Sequence, residues 1–274
     1  MNDNSNFFDD SLNRRDFLKS AFIGGPVAAL GLSASLPFLP ANDIVAAGRK
    51  NLFEKRPLGK TGLMVASLGM GQSMEPSIYL HAISKGMNLI ETGRGYRGGA
   101  HEDLVGKVIS RVKRDKLVVM TKTGIIAGIN DPKERYTAII QSAEKSLKAL
   151  KTDYIDIFLG YSVDDPALLK DNQVKQAFSD LKKSGKIRFC GVSTHKARPV
   201  FEYIMSKGFY DVVLTGYNFA APPEASLILE KAAKAGIGIV TMKNLILNLK
   251  NKEAAIPSAL RFVVSRNFVS SSVV

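Results

Sequence analysis

Eight short β-rich runs, each separated from the next by about one helix of amphipathic chain, limit what this sequence can fold into more than any other feature. They are VASLGMG (65–71), MNLIET (87–92), LVVMTK (117–122), YIDIFLG (154–160), IRFCGVST (187–194), DVVLTGY (211–217), GIGIVTMK (236–243) and FVSSSVV (268–274). Most are continuously apolar rather than alternating, as expected of parallel strands covered on both faces. The chain between them has helical spacing. In DPKERYTAIIQSAEKSLKAL, the residues Tyr136, Ile140, Ala143, Leu147 and Leu150 share one face, and Asp131 stands as an N-cap before Pro132. Val174, Phe178 and Leu181 line a second such face, and Gly86, Gly185, Gly208 and Gly236 sit where helices should stop. This alternation predicts an α/β fold, a (β/α)8 TIM barrel. The competing doubly wound sheet lacks its glycine fingerprint after the first strand.

Barrels of this kind carry chemistry on the loops after the C-terminal strand ends. Glu91 ends the second run, Tyr96 follows five residues later, and Lys122 ends the third run. A free phenol has a pKa of about 10. It becomes a useful acid near neutrality when an ammonium stabilises its phenolate, and a carboxylate can hold that ammonium in place. The three residue types at adjacent strand ends therefore suit proton donation to a developing alkoxide.

Composition removes several alternatives. The single cysteine, Cys190, excludes an intramolecular disulfide and a cysteine cluster. His81, His101 and His195 lack the spacing of metal ligands, so no metal site is expected. The formal net charge is +13. Its lysines are scattered along helical segments without interleaved aromatics, which argues against nucleic acid. Cys190 lies within a strand run and reads as a small buried hydrophobe.

Residues 1–47 read as an address rather than as fold, leaving 48–274 as the barrel. Asn13-Arg14-Arg15-Asp16-Phe17-Leu18-Lys19 resembles the twin-arginine export motif, and a mildly apolar run from Ala21 to Leu39 follows it. Glycines and Pro26 interrupt that run, so no stable membrane span is expected, and Val45-Ala46-Ala47 fits a cleavage site. The resemblance implies engagement of the twin-arginine export machinery and a periplasmic or otherwise exported location of bacterial type.

The ordered motifs from 56 to 274 resemble the aldo/keto reductase family. RPLGKTGLMVASLGMGQ resembles its opening hairpin and first strand. NLIETGRGYRGGAHEDLVGKVI resembles its Asp-Thr-Ala-x-x-Tyr loop and the Glu-x-x-x-Gly helix start, here Glu102 and Gly106. LVVMTKTG resembles its strand-end lysine segment. The resemblance implies an NADP-dependent oxidoreductase that reduces a small-molecule carbonyl by hydride transfer. Tyr96 then fits the proton donor, Lys122 the residue that lowers its pKa, and Glu91 the usual aspartate. It implies cofactor contacts at Ser193, Thr194, Tyr217 (as the aromatic stacked on nicotinamide) and Lys243. The family's Leu-His after the fourth strand is matched to Leu159-Gly160, with Tyr161 and His195 as neighbouring strand-end residues. In relatives without that histidine the chemistry can shift to activated alkenes. The resemblance also implies a phosphate-binding segment and a last helix beyond Val274, so the barrel is expected to be incomplete at its C-terminus. A non-catalytic barrel that binds a ligand or partner is the alternative reading.

Overall fold

A computed structural model of the chain describes residues 53–274 apart from 162, 196 and 246–251; the address segment, 1–47, lies outside the described residues. The chain enters through a two-stranded antiparallel hairpin, β1 (Lys55–Pro57) and β2 (Met64–Ala66). Leu58 and Val65 are fully buried and pack against Leu89, Val118, Ile157 and Val212 of the barrel interior. The hairpin is therefore a plug at the N-terminal end of the strands. Gly59 makes the plug possible. Its φ is +53°, and a Cβ there would lie 2.4 Å from the carbonyl oxygen of Gly236. The guanidinium of Arg56 donates to the carbonyls of Val264, at 2.7 Å, and Val269, at 3.0 Å.

Eight parallel strands follow: β3 (Leu68–Gly69), β4 (Leu89–Glu91), β5 (Val118–Ile125), β6 (Ile155–Tyr161), β7 (Ile187–Thr194), β8 (Val212–Gly216), β9 (Gly238–Met242) and β10 (Ser271–Val273). They run in the order β4-β5-β6-β7-β8-β9-β10-β3. A single bridge, Met70 to Ile90, joins the ends. There Met70 N–H donates to Leu89 O at 2.9 Å and Glu91 N–H to Met70 O at 2.8 Å. The ring closes, and each of the eight predicted runs supplies one of its strands.

The helices alternate with the strands as the spacing requires. They are α1 (Pro76–Ser84), α2 (Ala100–Ile109), α3 (Pro132–Leu150), α4 (Pro166–Lys170), α5 (Asn172–Lys183), α6 (Ala197–Lys207), α7 (Pro223–Lys234) and α8 (Lys252–Val264). Asp131 caps α3 by accepting from Lys133 N–H at 2.9 Å. Among the described residues, no helix is long and apolar enough to cross a membrane.

Two apolar shells explain the continuous hydrophobic runs. Leu89, Met120, Ile157, Leu159, Leu214 and Val240 fill the barrel, while Ile90, Val119, Phe158, Val213 and Ile239 face the helices. Successive strand residues thus alternate between two dry environments. The same alternation decides which strand-end residues look into the mouth.

Candidate active site

Along β4, Leu89 points inward and Ile90 outward, so Glu91 points inward again. Along β5, Val118 and Met120 point inward, and Lys122 follows them. Glu91 and Lys122 are only 4% and 1% exposed. Two opposite charges at that burial require each other, because an unpaired buried ion costs several kcal/mol or more. They form an ion pair through Glu91 Oε1 and Lys122 Nζ.

Tyr96 reaches this pair from the loop after β4. Its N–H donates to Gly93 O at 2.9 Å, starting a 3-10 turn over Tyr96–Gly99. Arg97, Gly98 and Gly99 all have positive φ, 49°, 63° and 99°, and so turn the chain into α2. Arg94 packs beneath the turn and pairs with Glu102 at 2.8 Å. Glu102 is fully buried and accepts from Thr121 Oγ1 at 2.6 Å; burial pushes its carboxyl up from the ordinary range. The Glu-x-x-x-Gly motif therefore braces the loop that carries Tyr96. Gly106 lets α2 approach α3, since a Cβ there would lie 2.2 Å from Ala149 O.

The three polar groups meet closely. Lys122 Nζ lies 2.6 Å from Tyr96 Oη and donates to Thr92 O at 3.1 Å. Tyr96 O–H donates to Glu91 Oε1 at 3.1 Å. The lysine also lies 4.2 Å from the centroid of the Tyr96 ring. Burial, followed by the Glu91 carboxylate and a smaller effect of Tyr161, holds the phenol well above the ordinary tyrosine range. The expected lowering by Lys122 is not what this arrangement gives, because burial, and then the carboxylate that anchors the ammonium and accepts the phenol's hydrogen bond, disfavour the phenolate. Tyr96 keeps that proton throughout the neutral range, as an acid must before it acts.

The other sequence-derived positions divide. Ser193 continues the inward set of β7 after Phe189 and Gly191, and its hydroxyl is buried without a hydrogen-bond partner. Thr194 turns the other way and donates from Oγ1 to Asp164 Oδ1 at 2.9 Å. Lys243 is exposed at the rim with φ +54°, and its carbonyl accepts from Asn218 Nδ2 at 3.1 Å. Tyr217 does not face the mouth. It lies in the helix layer, stacked on Phe262 and edge-on to Phe268, with its hydroxyl 2.7 Å from Ser226 Oγ. The stacking role expected for Tyr217 is therefore not available to it in this geometry. Met242, inward after Val240 and half-buried, is the apolar side chain that β9 presents instead.

The match of the family's histidine to Gly160 also changes. A Cβ on Gly160 would lie 3.2 Å from Val163 Cγ2 and 4.0 Å from Phe178 Cζ, on the helix side of the sheet. Residue 161 follows the inward residues Ile157 and Leu159, and the Tyr161 phenol is near enough to influence Tyr96. Tyr161 is thus the strand-end side chain of β6 that belongs to the mouth. His195 lies at the end of β7, where its N–H donates to Asp164 Oδ1 at 2.7 Å. Cys190 is fully buried, and burial pushes its thiol to about 12, so it is inert as the sequence suggests.

The model of the aldo/keto reductase family matches residues 70–270. The chain belongs to the aldo/keto reductase family. An uncharacterized oxidoreductase of Bacillus subtilis is 30% identical over 190 residues, which cover 64% of this chain and 60% of that protein. L-Galactose dehydrogenase of Arabidopsis thaliana is 28% identical over 222 residues, covering 73% and 68%. The chain thus spans about three fifths to two thirds of these family members. A Pseudomonas aeruginosa protein classed with the aldo-keto reductases superposes with a TM-score of 0.67 at 26% identity, covering 84% of this chain and 91% of its own. The holo form of an aldo-keto reductase from Bacillus halodurans shares the fold, with a TM-score of 0.66 at 21% identity, covering 81% and 86%.

Proposed function

We propose that this aldo/keto reductase family member is an NADP-dependent oxidoreductase that reduces a small-molecule carbonyl. The observation that carries the reading is the contact of Tyr96 with both Lys122 and Glu91 at the barrel mouth. A nicotinamide fits the residues present. The Ser193 hydroxyl and the Asn244 side-chain oxygen are buried and unpartnered, and such groups favour a ligand able to hydrogen-bond them. Ser193 would hold the carboxamide, Met242 would give the ring an apolar contact, and Lys243 stands at the rim for a phosphate. When bound, the cofactor supplies hydride to the carbonyl carbon.

The chain's own residues supply the proton. Tyr96 holds it at neutral pH and releases it from Oη to the substrate oxygen. Lys122, 2.6 Å away, stabilises the resulting phenolate, and Glu91 keeps the ammonium in place. Burial strengthens these interactions relative to water. Tyr161 lines the same mouth and offers the substrate oxygen a second phenol.

Titration with NADPH, followed by cofactor fluorescence and thermal shift, tests the reading. Binding is expected, tighter than for NADH, and Tyr96→Phe should retain it while losing carbonyl reduction. No binding at millimolar cofactor would overturn the proposal. The twin-arginine motif of Arg14 and Arg15 supports a further proposal, export of the folded chain. Replacing both arginines by lysine should keep the protein out of the exported fraction.

A further inference from the structure

The seam between β3 and β4 is the thinnest part of the barrel, with one bridge where the other neighbours share a ladder. Beyond that bridge, side chains continue the connection. Tyr79 of α1 donates its hydroxyl proton to Gly71 O, just after β3, and its oxygen accepts from Ser73 N–H at 3.0 Å. His101 Nε2 lies 2.7 Å from the same oxygen, and His101 Nδ1 lies 2.7 Å from Thr92 Oγ1, just after β4. The pattern sets the tautomer. Tyr79 has spent its proton on Gly71, so Nε2 must donate and Nδ1 must accept from Thr92. All three side chains are buried, His101 and Thr92 completely, and each is satisfied in this arrangement.

We propose that His101 is a positioning residue for the proton donor, acting through Thr92 and through direct packing. Thr92 O is one of three acceptors around the Lys122 ammonium, with Glu91 Oε1 and Tyr96 Oη as the others. Three N–H donors and three acceptors leave the ammonium a single orientation, which Thr92 helps to set. The His101 ring also lies 6.0 Å from the Tyr96 ring, tilted by 60°. Fixing the backbone at residue 92 and the face of Tyr96 from one imidazole pre-organises the acid. The catalytic meaning of this clamp rests on the reductase reading; its geometry does not.

The test uses the protein labelled with tyrosine carrying 13C at Cζ, with Thr92→Val, His101→Leu and His101→Asn. The Tyr96 resonance, assigned with Tyr96→Phe, should move at pH 7 in Thr92→Val and His101→Leu. It should return towards its original place in His101→Asn, whose amide oxygen can still accept from Thr92. With NADPH and an aromatic aldehyde, the first two variants should lose about tenfold or more in kcat while the cofactor KM changes less than about twofold. An unmoved resonance in folded Thr92→Val would overturn the inference, and that variant decides alone if His101→Leu does not fold. If the parent chain neither binds NADPH nor reduces the aldehyde, the reductase reading falls. The resonance still decides whether the clamp positions Tyr96.

Discussion

Lys122 Nζ lies 2.6 Å from the phenolic oxygen of Tyr96 and also donates to Glu91, the carboxylate towards which the phenol directs its own proton. One ammonium thus serves two roles, neutralising a buried carboxylate and waiting for a phenolate. Lys122→Met should expose both. It leaves Glu91, 4% exposed, without its charge partner, a loss of about 3–5 kcal/mol in unfolding free energy by urea titration. It should also lower carbonyl reduction by at least about 100-fold in kcat, measured by NADPH oxidation.

Strand parity gives a second expectation. Gly160→His should not bring an imidazole to the mouth, because its side chain would enter the space of Val163 and Phe178. Overpacking there should cost about 1–3 kcal/mol, visible as a fall in Tm, with no gain in turnover. Tyr161→His should keep the fold and change the turnover rate and its pH profile, since residue 161 follows the inward set of β6 and is near enough to influence Tyr96.

His101 makes stability depend on pH on the acid side. Burial, with smaller effects of Lys122 and Arg97, holds its imidazole below the ordinary histidine value. Below about pH 6.5 the unfolded chain takes up a proton that the folded chain resists. The stability from neutral His101 is therefore fully present above that pH and is lost as pH falls through the folded value. Unfolding free energies from urea titrations between pH 8 and pH 5 should decrease, with a slope of up to about 1.4 kcal/mol per pH unit from this group. His101→Asn should flatten the decrease.

Tyr217→Phe separates packing from cofactor contact. The hydroxyl bonded to Ser226 is lost and the ring stays against Phe262 and Phe268. The expected change is about 1 kcal/mol in stability, with the NADPH dissociation constant within about twofold of the parent's. A large loss of cofactor affinity would place the Tyr217 hydroxyl in the site.

The strands were legible because burial on both faces writes itself as an uninterrupted apolar run. Glu91 and Lys122 were legible for the complementary reason, as charges closing such runs. What the same runs conceal is facing. Val213 and Leu214 look alike in the sequence, yet one meets helices and the other fills the barrel. The sequence leaves the facing of Tyr217 and Gly160 open through that ambiguity, and three-dimensional parity puts both on the helix side. His101 was hidden differently. Its partners Tyr79 and Thr92 lie 22 and 9 residues away, at separations no local pattern marks. The sign of the Tyr96 shift was missed because it depends on how burial and a shared carboxylate compete, which residue types alone do not settle.

The hairpin beneath the barrel has a consequence for how the molecule is made. Arg56 finds its acceptors 208 and 213 positions later in the chain, and Gly59 nests against Gly236 and Gly238. The full set of contacts that seats this first-synthesised element of the barrel forms only after most of the remaining chain has emerged from the ribosome. Closing so long a loop costs entropy, which the nearer bonds of Ala66 and Met64 to Asn88 offset in part. Complete seating of the plug therefore waits for the far end of the chain, and the Arg56 bonds to Val264 and Val269 report whether a given copy has been finished.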